Sequence, residues 1–119
     1  MCVIALMIRE KFNPTIFRMH AEICKTLSNP TRLMILTALQ DGERTVNELA
    51  EMIGVSQSNA SQHLSVLRQR QIVTARKQGA NTYYSVSNPK INKACTIIRE
   101  VLMEQLQKSN EIIRGQTAR

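Results

Sequence analysis

Apolar residues recur at steps of three and four positions along most of this chain, which is the spacing of one face of an α-helix. The first stripe follows Asn13-Pro14, an N-cap residue and a proline at the first helical position, and predicts a helix of about four turns. Asn29-Pro30 repeats this signal and predicts a second helix that ends at Asp41-Gly42. The stripe positions are Ile16, Phe17, His20, Ile23, Cys24 and Leu27 in the first helix, and Leu33, Met34, Leu36, Thr37 and Leu39 in the second.

Two further helices are predicted on either side of a glycine. Thr45 and Glu48 form a capping box for a short third helix, and Gly54 is its natural C-terminal stop. Ser56 caps a fourth helix. The third helix is predicted from Val46 to Ile53, and the fourth from Gln57 to Arg70 with Ala60, Leu64 and Leu67 facing inward.

A β-hairpin and a long helix complete the pattern. Ile72–Arg76 and Thr82–Val86 are β-rich runs on either side of a Gln78-Gly79-Ala80-Asn81 turn, which predicts a hairpin. Asn88-Pro89 starts the last helix, whose apolar stripe has no later element to cover it. We therefore expect this stripe to pack against the first helix and a partner chain. Its positions are Ile91, Ala94, Cys95, Ile98, Val101, Leu102 and Leu106.

The chain has 119 residues, of which 43% are hydrophobic, so we expect one domain with a small core that dimerisation completes. The predicted organisation is an N-terminal arm at 1–12, a folded domain at 13–109 and a frayed tail at 110–119. The apolar run Met1–Ile8 lacks the features of a signal peptide and is too short to cross a bilayer, which predicts a cytoplasmic protein without membrane contact. This run is either an arm that packs on the dimer or sequence ahead of an alternative start at Met7.

Charge is distributed unevenly along the chain. Of its 16 basic and 9 acidic residues, no acidic residue lies between Met52 and Arg99, and the sequence outside this window is neutral in sum. A localised positive field is typical of proteins that bind a polyanion. The basic residues of the window are Arg68, Arg70, Arg76, Lys77, Lys90, Lys93 and Arg99.

A short helix, a glycine turn and a helix that begins with small polar residues are typical of a helix-turn-helix, and a hairpin directly after it is typical of a wing. The fold class is therefore mainly α with a β-hairpin wing, and the predicted partner is double-stranded DNA. Two copies related by a two-fold axis would bind a palindromic site. The predicted DNA-binding residues are Ser56, Gln57, Ser58, Asn59, Ser61, Gln62, His63 and Arg68 on the helix, and Arg76, Lys77, Gln78 and Asn81 at the wing.

Four segments, Leu27–Leu36, Thr45–Leu49, Ser56–Leu67 and Gly79–Val86, resemble the ArsR/SmtB repressors, and the resemblance spans about Ala21 to Leu106. It implies a homodimeric winged helix-turn-helix transcriptional regulator, usually a repressor that leaves its operator when an inducer binds. It also implies that the first and last helices form the dimer interface, in agreement with the uncovered apolar stripe.

The inducer is left open by the sequence. The metal sites of the resembled family use a Cys-x-Cys on the third helix, or His and carboxylates on the last, but Glu48–Met52 has no thiol and no His or Asp follows Asn88. We therefore predict no cofactor and no metal site of those types. The persulfide-sensing members have one cysteine on the second helix and one on the last; Thr37 takes the first position and Cys95 lies near the second.

Cys24 and Cys95 lie on helices predicted to pack together. Three roles remain open for them: small core hydrophobes, sensor thiols for oxidants or reactive sulfur, or ligands of a soft metal or metalloid such as arsenic(III) or copper(I). A different alternative for the whole chain is a winged-helix module that binds proteins and not DNA. An enzyme is not expected, because the sequence has no catalytic triad order, paired carboxylates or phosphate-binding glycine loop.

Overall fold

Helices make up most of the chain, as the apolar spacing predicts. The computed structural model describes the backbone of residues 2–117 and the side chains of residues 2–110. Helices α2 to α6 are the five that the sequence predicts, so the mainly helical fold with a hairpin is confirmed. The elements are α1 (Val3–Lys11), α2 (Pro14–Leu27), α3 (Pro30–Ala38), β1 (Arg44–Thr45), α4 (Val46–Ile53), α5 (Gln57–Gln69), β2 (Val73–Gln78), β3 (Asn81–Val86) and α6 (Pro89–Thr117).

The helix starts follow the predicted capping signals. Asn13 Oδ1 accepts hydrogen bonds from the backbone N–H of Thr15 at 2.9 Å and of Ile16 at 3.3 Å. At the start of α4, Thr45 Oγ1 accepts from the Glu48 N–H at 3.2 Å, and Glu48 Oε1 accepts from the Thr45 N–H at 3.1 Å. Each such cap is worth about 1 kcal/mol, because it satisfies N–H groups that have no partner inside the helix.

The core lies among α3, α4, α5 and the start of β2. The predicted inward face of α5 is confirmed, since Ala60, Leu64 and Leu67 are all fully buried. The cluster that these helices form consists of Ile35, Leu36, Leu39, Leu49, Leu64, Leu67, Ile72 and Val73. We call residues 30–86, which contain this cluster, the helix-turn-helix body.

The hairpin belongs to a three-stranded antiparallel sheet with the order β1-β3-β2. In β2 and β3, Val73 pairs with Val86 and Gln78 pairs with Asn81 across a two-residue turn. The third strand, β1, was missed by sequence reasoning because two residues are too few to show an alternating pattern. It joins the wing to the segment before α4 through the pairs Arg44–Tyr84 and Thr45–Tyr83.

Two helix ends differ from the prediction. The predicted end of the second helix at Asp41-Gly42 is wrong, because α3 ends at Ala38 and two tighter turns follow, with the Gln40 N–H bonded to Thr37 O and the Gly42 N–H to Leu39 O. Helix α5 ends at Gln69, one residue before the predicted Arg70, and Gln71 follows with a φ of 62°, a left-handed conformation that sequence patterns assign to glycine or asparagine.

The two ends of the chain were predicted to be an arm and a frayed tail. The arm contains α1, in which no residue is buried. Helix α6 continues to Thr117, while residues 1, 118 and 119 lie outside the described part. The division at 12 and 109 stays a prediction. Within residues 2–117, no helix is long and apolar enough to cross a membrane.

Helices α1, α2 and α6, which we call the outer helices, expose many apolar side chains. Ile98 in the third turn of α6 is 69% exposed, although it lies on the predicted apolar stripe. Phe12 and Phe17 stack with their ring centroids 6.4 Å apart, which joins α2 to the segment before it. The large exposed apolar residues are Val3, Ile4, Leu6, Met7 and Ile8 on α1, Ile16, Phe17, Met19 and Ile23 on α2, and Ile97, Ile98, Val101, Leu102, Met103 and Leu106 on α6.

Candidate nucleic-acid interface

Helices α4 and α5 meet across a turn at Gly54 and Val55. Gly54 has a φ of 81°, and its N–H and that of Val55 both bond to Ala50 O, at 2.9 and 3.1 Å. A β-carbon at Gly54 would meet no atom within 4 Å, so the turn requires glycine for its backbone conformation and not for space. Ser56 then starts α5, because its Oγ accepts from the Asn59 N–H at 3.1 Å.

The N-terminal half of α5 presents a polar surface. Ala60 and Leu64 are fully buried, so the helix is anchored on one side and the opposite side faces solvent. The exposed side chains there carry hydroxyl and amide groups, which form hydrogen bonds with base edges and phosphates. The predicted residues on this surface are Ser56, Gln57, Ser58, Asn59, Ser61 and Gln62, and all of them are exposed.

Two other predicted residues of α5 lie elsewhere. His63 is half-buried, and its Nδ1 accepts a hydrogen bond from Arg32 Nε at 3.2 Å. Burial lowers the pKa of His63 below its ordinary value, and the charge of Arg32 lowers it further. Arg68 is exposed in the last turn of α5, about 16 Å along the helix from Gln57. Neither side chain belongs to the polar surface at the helix start.

The wing has a tight tip. Gly79 has a φ of 61° and occupies the first of the two central turn positions, where a type II′ hairpin turn favours glycine. Lys77, Gln78 and Asn81 are exposed beside it. The tip therefore presents two amides and one ammonium group to solvent, a set of groups that binds phosphate oxygens.

Arg76 was predicted to reach DNA from the wing tip, but its guanidinium is bound within the chain. Nε and Nη2 each donate to the Glu43 carboxylate at 3.0 Å, and Nη1 donates to Gln78 Oε1 at 2.6 Å. The guanidinium also lies 5.1 Å from the Tyr83 ring centroid. These hydrogen bonds lower the pKa of Glu43 and raise that of Arg76. Sequence reasoning missed Glu43, which lies 33 positions from Arg76.

The two possible sensor thiols, Cys24 and Cys95, line one cleft. All three cysteines of the chain are free; Cys2 and Cys24 are exposed and Cys95 is half-buried. Within residues 2–110, no group of three or more His, Cys, Asp or Glu side chains is placed to hold a metal ion. The cleft, of about 380 Å³, is lined by Cys24, Leu27, Ser28, Leu33, Cys95, Ile98, Arg99 and Leu102, and we call it the thiol cleft.

An anchored helix with a polar N-terminal surface, a preceding helix and a three-stranded wing define the class of winged helix-turn-helix DNA-binding proteins. The family model described as bacterial regulatory protein, arsR family, matches residues 29–75. The HTH-type transcriptional regulator Rv0081 of Mycobacterium tuberculosis is 38% identical over 92 residues, which are 76% of this chain and 81% of that protein. The chain belongs to the ArsR family, and it is a transcriptional regulator, not an enzyme.

Solved structures agree with this assignment. The crystal structure of Rv0081 superposes with a TM-score of 0.70 at 37% identity, covering 79% of this chain and 95% of that one. The homodimeric winged helix-turn-helix domain Mb0332 of Mycobacterium bovis superposes with a TM-score of 0.71 at 29% identity, covering 84% of this chain and 90% of that one. The transcriptional repressor BigR of Xylella fastidiosa superposes with a TM-score of 0.65 at 31% identity, covering 85% of this chain and 96% of that one. The winged helix-turn-helix fold is thereby confirmed.

Proposed function

We propose that this chain is a cytoplasmic homodimeric repressor that binds a palindromic operator and leaves it when an inducer acts on the outer helices. The observation that carries the proposal is the exposed polar start of α5, followed along the chain by an exposed wing tip that carries Lys77. The relationship to BigR, which is described as a transcriptional repressor, supports repression over activation.

The exposed apolar side chains of the outer helices support the proposed homodimer. The radius of gyration is 19.3 Å, whereas a compact chain of this length has about 13–14 Å. Helix α6 has 29 residues and is about 43 Å long, so much of it extends beyond the body. A second copy packed on the apolar faces of α2 and α6 would bury them, and the homodimeric Mb0332 domain offers a precedent. Helix α1 is apolar enough to extend this interface.

We assign different roles to the two parts of the proposed DNA-binding surface, the start of α5 and the wing tip. Gln57, Ser58, Ser61 and Gln62 read base edges from α5, and Asn59 and the wing tip hold phosphates or enter the minor groove. Because the Arg76 guanidinium is bound to Glu43, we revise its role: it holds the wing against the segment before β1, and Lys77 supplies the free charge at the tip.

Fluorescence titrations on operator and random DNA test this division. We expect Gln57→Ala and Ser61→Ala to weaken operator binding by about 1–3 kcal/mol while random-DNA binding is unchanged. Lys77→Ala should weaken binding to both and reduce the salt dependence by about one unit of log–log slope. Equal losses on both DNAs for all three variants would contradict the division, and no salt-dependent binding at all would favour the protein-interaction module.

The thiol cleft supports a thiol-based sensor as the finer proposal. Cys24 on α2 and Cys95 on α6 line the same cleft, between the two helices proposed to form the dimer. Diamide would take two electrons and two protons from these thiols and leave a disulfide, which would change the angle between α2 and α6. A soft metal or metalloid bound by both thiolates is the second candidate, favoured by the same pair of sulfur atoms.

Operator binding before and after diamide tests the sensor. Release by diamide that is reversed by a reductant, and that a Cys24→Ser, Cys95→Ser double variant lacks, is the expected result. Release by arsenic(III) alone, again absent in the double variant, would favour the metalloid. Binding that neither treatment changes would leave the two cysteines as part of the dimer core.

A further inference from the structure

Helix α2 contacts the core through an apolar side chain at its last position, Leu27, which is half-buried against the core cluster. Within α2, all of whose residues the structure describes, Thr26 alone is buried, with 6% of its surface exposed. The same helix carries Cys24 and much of the exposed apolar face. Apart from Leu27, the position of α2 relative to the DNA-reading helix is therefore set by a few specific polar contacts.

One guanidinium supplies the main contact. Arg32 in the first turn of α3 donates from Nη1 to Thr26 O at 3.1 Å and from Nε to His63 Nδ1 at 3.2 Å. It thus bonds α2 and α5 at the same time. Its own backbone N–H is held by Asn29 Oδ1 at 3.1 Å, which fixes the residue at the start of α3.

The α2 side of this link has a clear physical basis. Thr26 lies in the last turn of α2, where carbonyl groups have no partner inside the helix. A cation is also favoured there, because the helix dipole places partial negative charge at the C-terminal end. Arginine suits this position better than lysine, since its planar group directs two donors at two separate acceptors.

The α5 side depends on the state of His63. Its Nδ1 accepts a hydrogen bond only while the imidazole is neutral, with its proton on Nε2. The lowered pKa of His63 keeps it in this state at neutral pH. His63 follows Ser61 and Gln62 directly and precedes the buried Leu64, so a bond at this position opposes rotation of α5 about its axis.

A second, weaker contact joins the same two helices. Arg70 at the end of α5 lies 3.5 Å from Glu22 of α2, and both side chains are about half exposed, at 55% and 49%. Exposed ion pairs of this kind contribute little, about 0–1 kcal/mol. Glu22 and Thr26 are one turn apart on α2, so both contacts lie on the face of α2 that is turned to α5.

We infer that Arg32 is a positioning residue for operator recognition: by bonding Thr26 of α2 and His63 of α5, it makes the orientation of the reading helix depend on where α2 lies. This inference rests on the proposed function. Arg32 touches no DNA in this role. Any event that moves α2, including a reaction at Cys24 two residues before Thr26, reaches α5 through this link.

The test uses DNA that the wild-type protein selects from a random pool, with a random duplex of equal length for comparison. We expect Arg32→Gln to weaken operator binding about tenfold and random-DNA binding less than about threefold, with an unchanged salt slope. Lys25→Gln, which removes the same charge from the exposed side of α2, is the matched control and should bind both DNAs like the wild type.

A pair of variants at His63 separates positioning from folding. A glutamine side chain retains an acceptor for Arg32 Nε, so His63→Gln should keep more operator affinity than His63→Ala. In an Arg32→Gln, His63→Ala double variant the two losses should not add, because both remove the same bond. The unfolding temperature of each variant is measured alongside to confirm that it is folded at the assay temperature.

Four outcomes would overturn the inference. Equal losses of Arg32→Gln on both DNAs, with a smaller salt slope, would make Arg32 a phosphate contact. Wild-type operator affinity in the folded Arg32→Gln variant would show that the link does not position α5. Losses of operator affinity at Arg32 and His63 that simply add in the double variant would show the same. If the wild-type protein itself selects no sequence, the proposed repressor function is wrong and the inference falls with it.

Discussion

The helix-turn-helix body and the outer helices differ in where their apolar side chains lie. In the body, Ile35, Leu49, Leu64 and Leu67 are fully buried within a single copy of the chain. In the outer helices the apolar positions recur as regularly as in the body, yet Ile98 is 69% exposed. The body therefore anchors the DNA-reading helix on its own core, whereas the apolar faces of the outer helices need a second copy to cover them, and Arg32 links the two regions. In the function proposed above, an inducer that acts on the outer helices would change DNA binding without disturbing the core.

The largest expected effect is on the stability of the helix-turn-helix body. Leu64→Ala removes a fully buried side chain from the centre of the core, and we expect a loss of about 2–5 kcal/mol in the free energy of unfolding. Leu102→Ala is the matched change on α6, where half of the side chain is exposed in one copy. Urea unfolding at two protein concentrations should show a concentration-independent loss for the first and a concentration-dependent loss for the second. Equal, concentration-independent losses would contradict the comparison.

The next effect concerns the dimer. Ile98→Asp places a charge on the exposed apolar face of α6, and we expect the dimer dissociation constant to rise about tenfold to a hundredfold. Gln107→Asp adds the same charge about two and a half turns along α6, on its opposite face, and serves as the control. Sedimentation velocity measures both. If the dimer dissociation constant of Ile98→Asp were no higher than that of Gln107→Asp, the interface would lie elsewhere.

A smaller effect compares two neighbouring cations of the wing. Lys77→Ala should reduce the log–log salt slope of DNA binding by about one, because a free ammonium that meets a phosphate releases a counterion. Arg76→Ala should change the slope less, because the Glu43 carboxylate already neutralises this guanidinium. A larger slope change for Arg76→Ala would show that DNA binding breaks the ion pair and frees Arg76.

The smallest effect is a pH dependence of the link between α2 and α5. The pKa of His63 is below 6.5 in the folded chain, where Arg32 faces the imidazole. As the pH falls below 6.5, the unfolded chain takes up a proton that the folded chain resists, so stability decreases. Unfolding temperatures at pH 7.5 and 5.5 should differ more for the wild type than for His63→Gln. Glu43 and Glu48, whose pKa values are lowered from 4.5, contribute at lower pH.

The fold could be predicted well because its signals are local. Asn13, Thr45 and Ser56 cap helices within three residues of themselves, and Gly54 stops α4 through its own backbone conformation. The inward face of α5 follows from its apolar spacing. The two-residue strand β1 and the left-handed Gln71 lacked such a signal and were missed.

The site was harder to predict because its polar contacts join distant positions. Arg32 and His63 are 31 positions apart, and Glu43 and Arg76 are 33 apart. The sequence identifies Arg76 and His63 as polar residues of a DNA-binding region, but nothing near them indicates an internal partner. The exposed residues at the start of α5 were predictable, because exposure there follows directly from the buried face.

The central claim is that two copies of α5 read a palindrome from an outer-helix dimer. The most direct measurement is to sequence the DNA that the protein selects from a random pool in reducing buffer at physiological salt. We predict enrichment of an inverted repeat with half-sites about one helical turn apart, and loss of the enrichment with a Gln57→Ala, Ser61→Ala double variant. Enrichment of a single unrepeated site, or of no sequence at all, would contradict the claim.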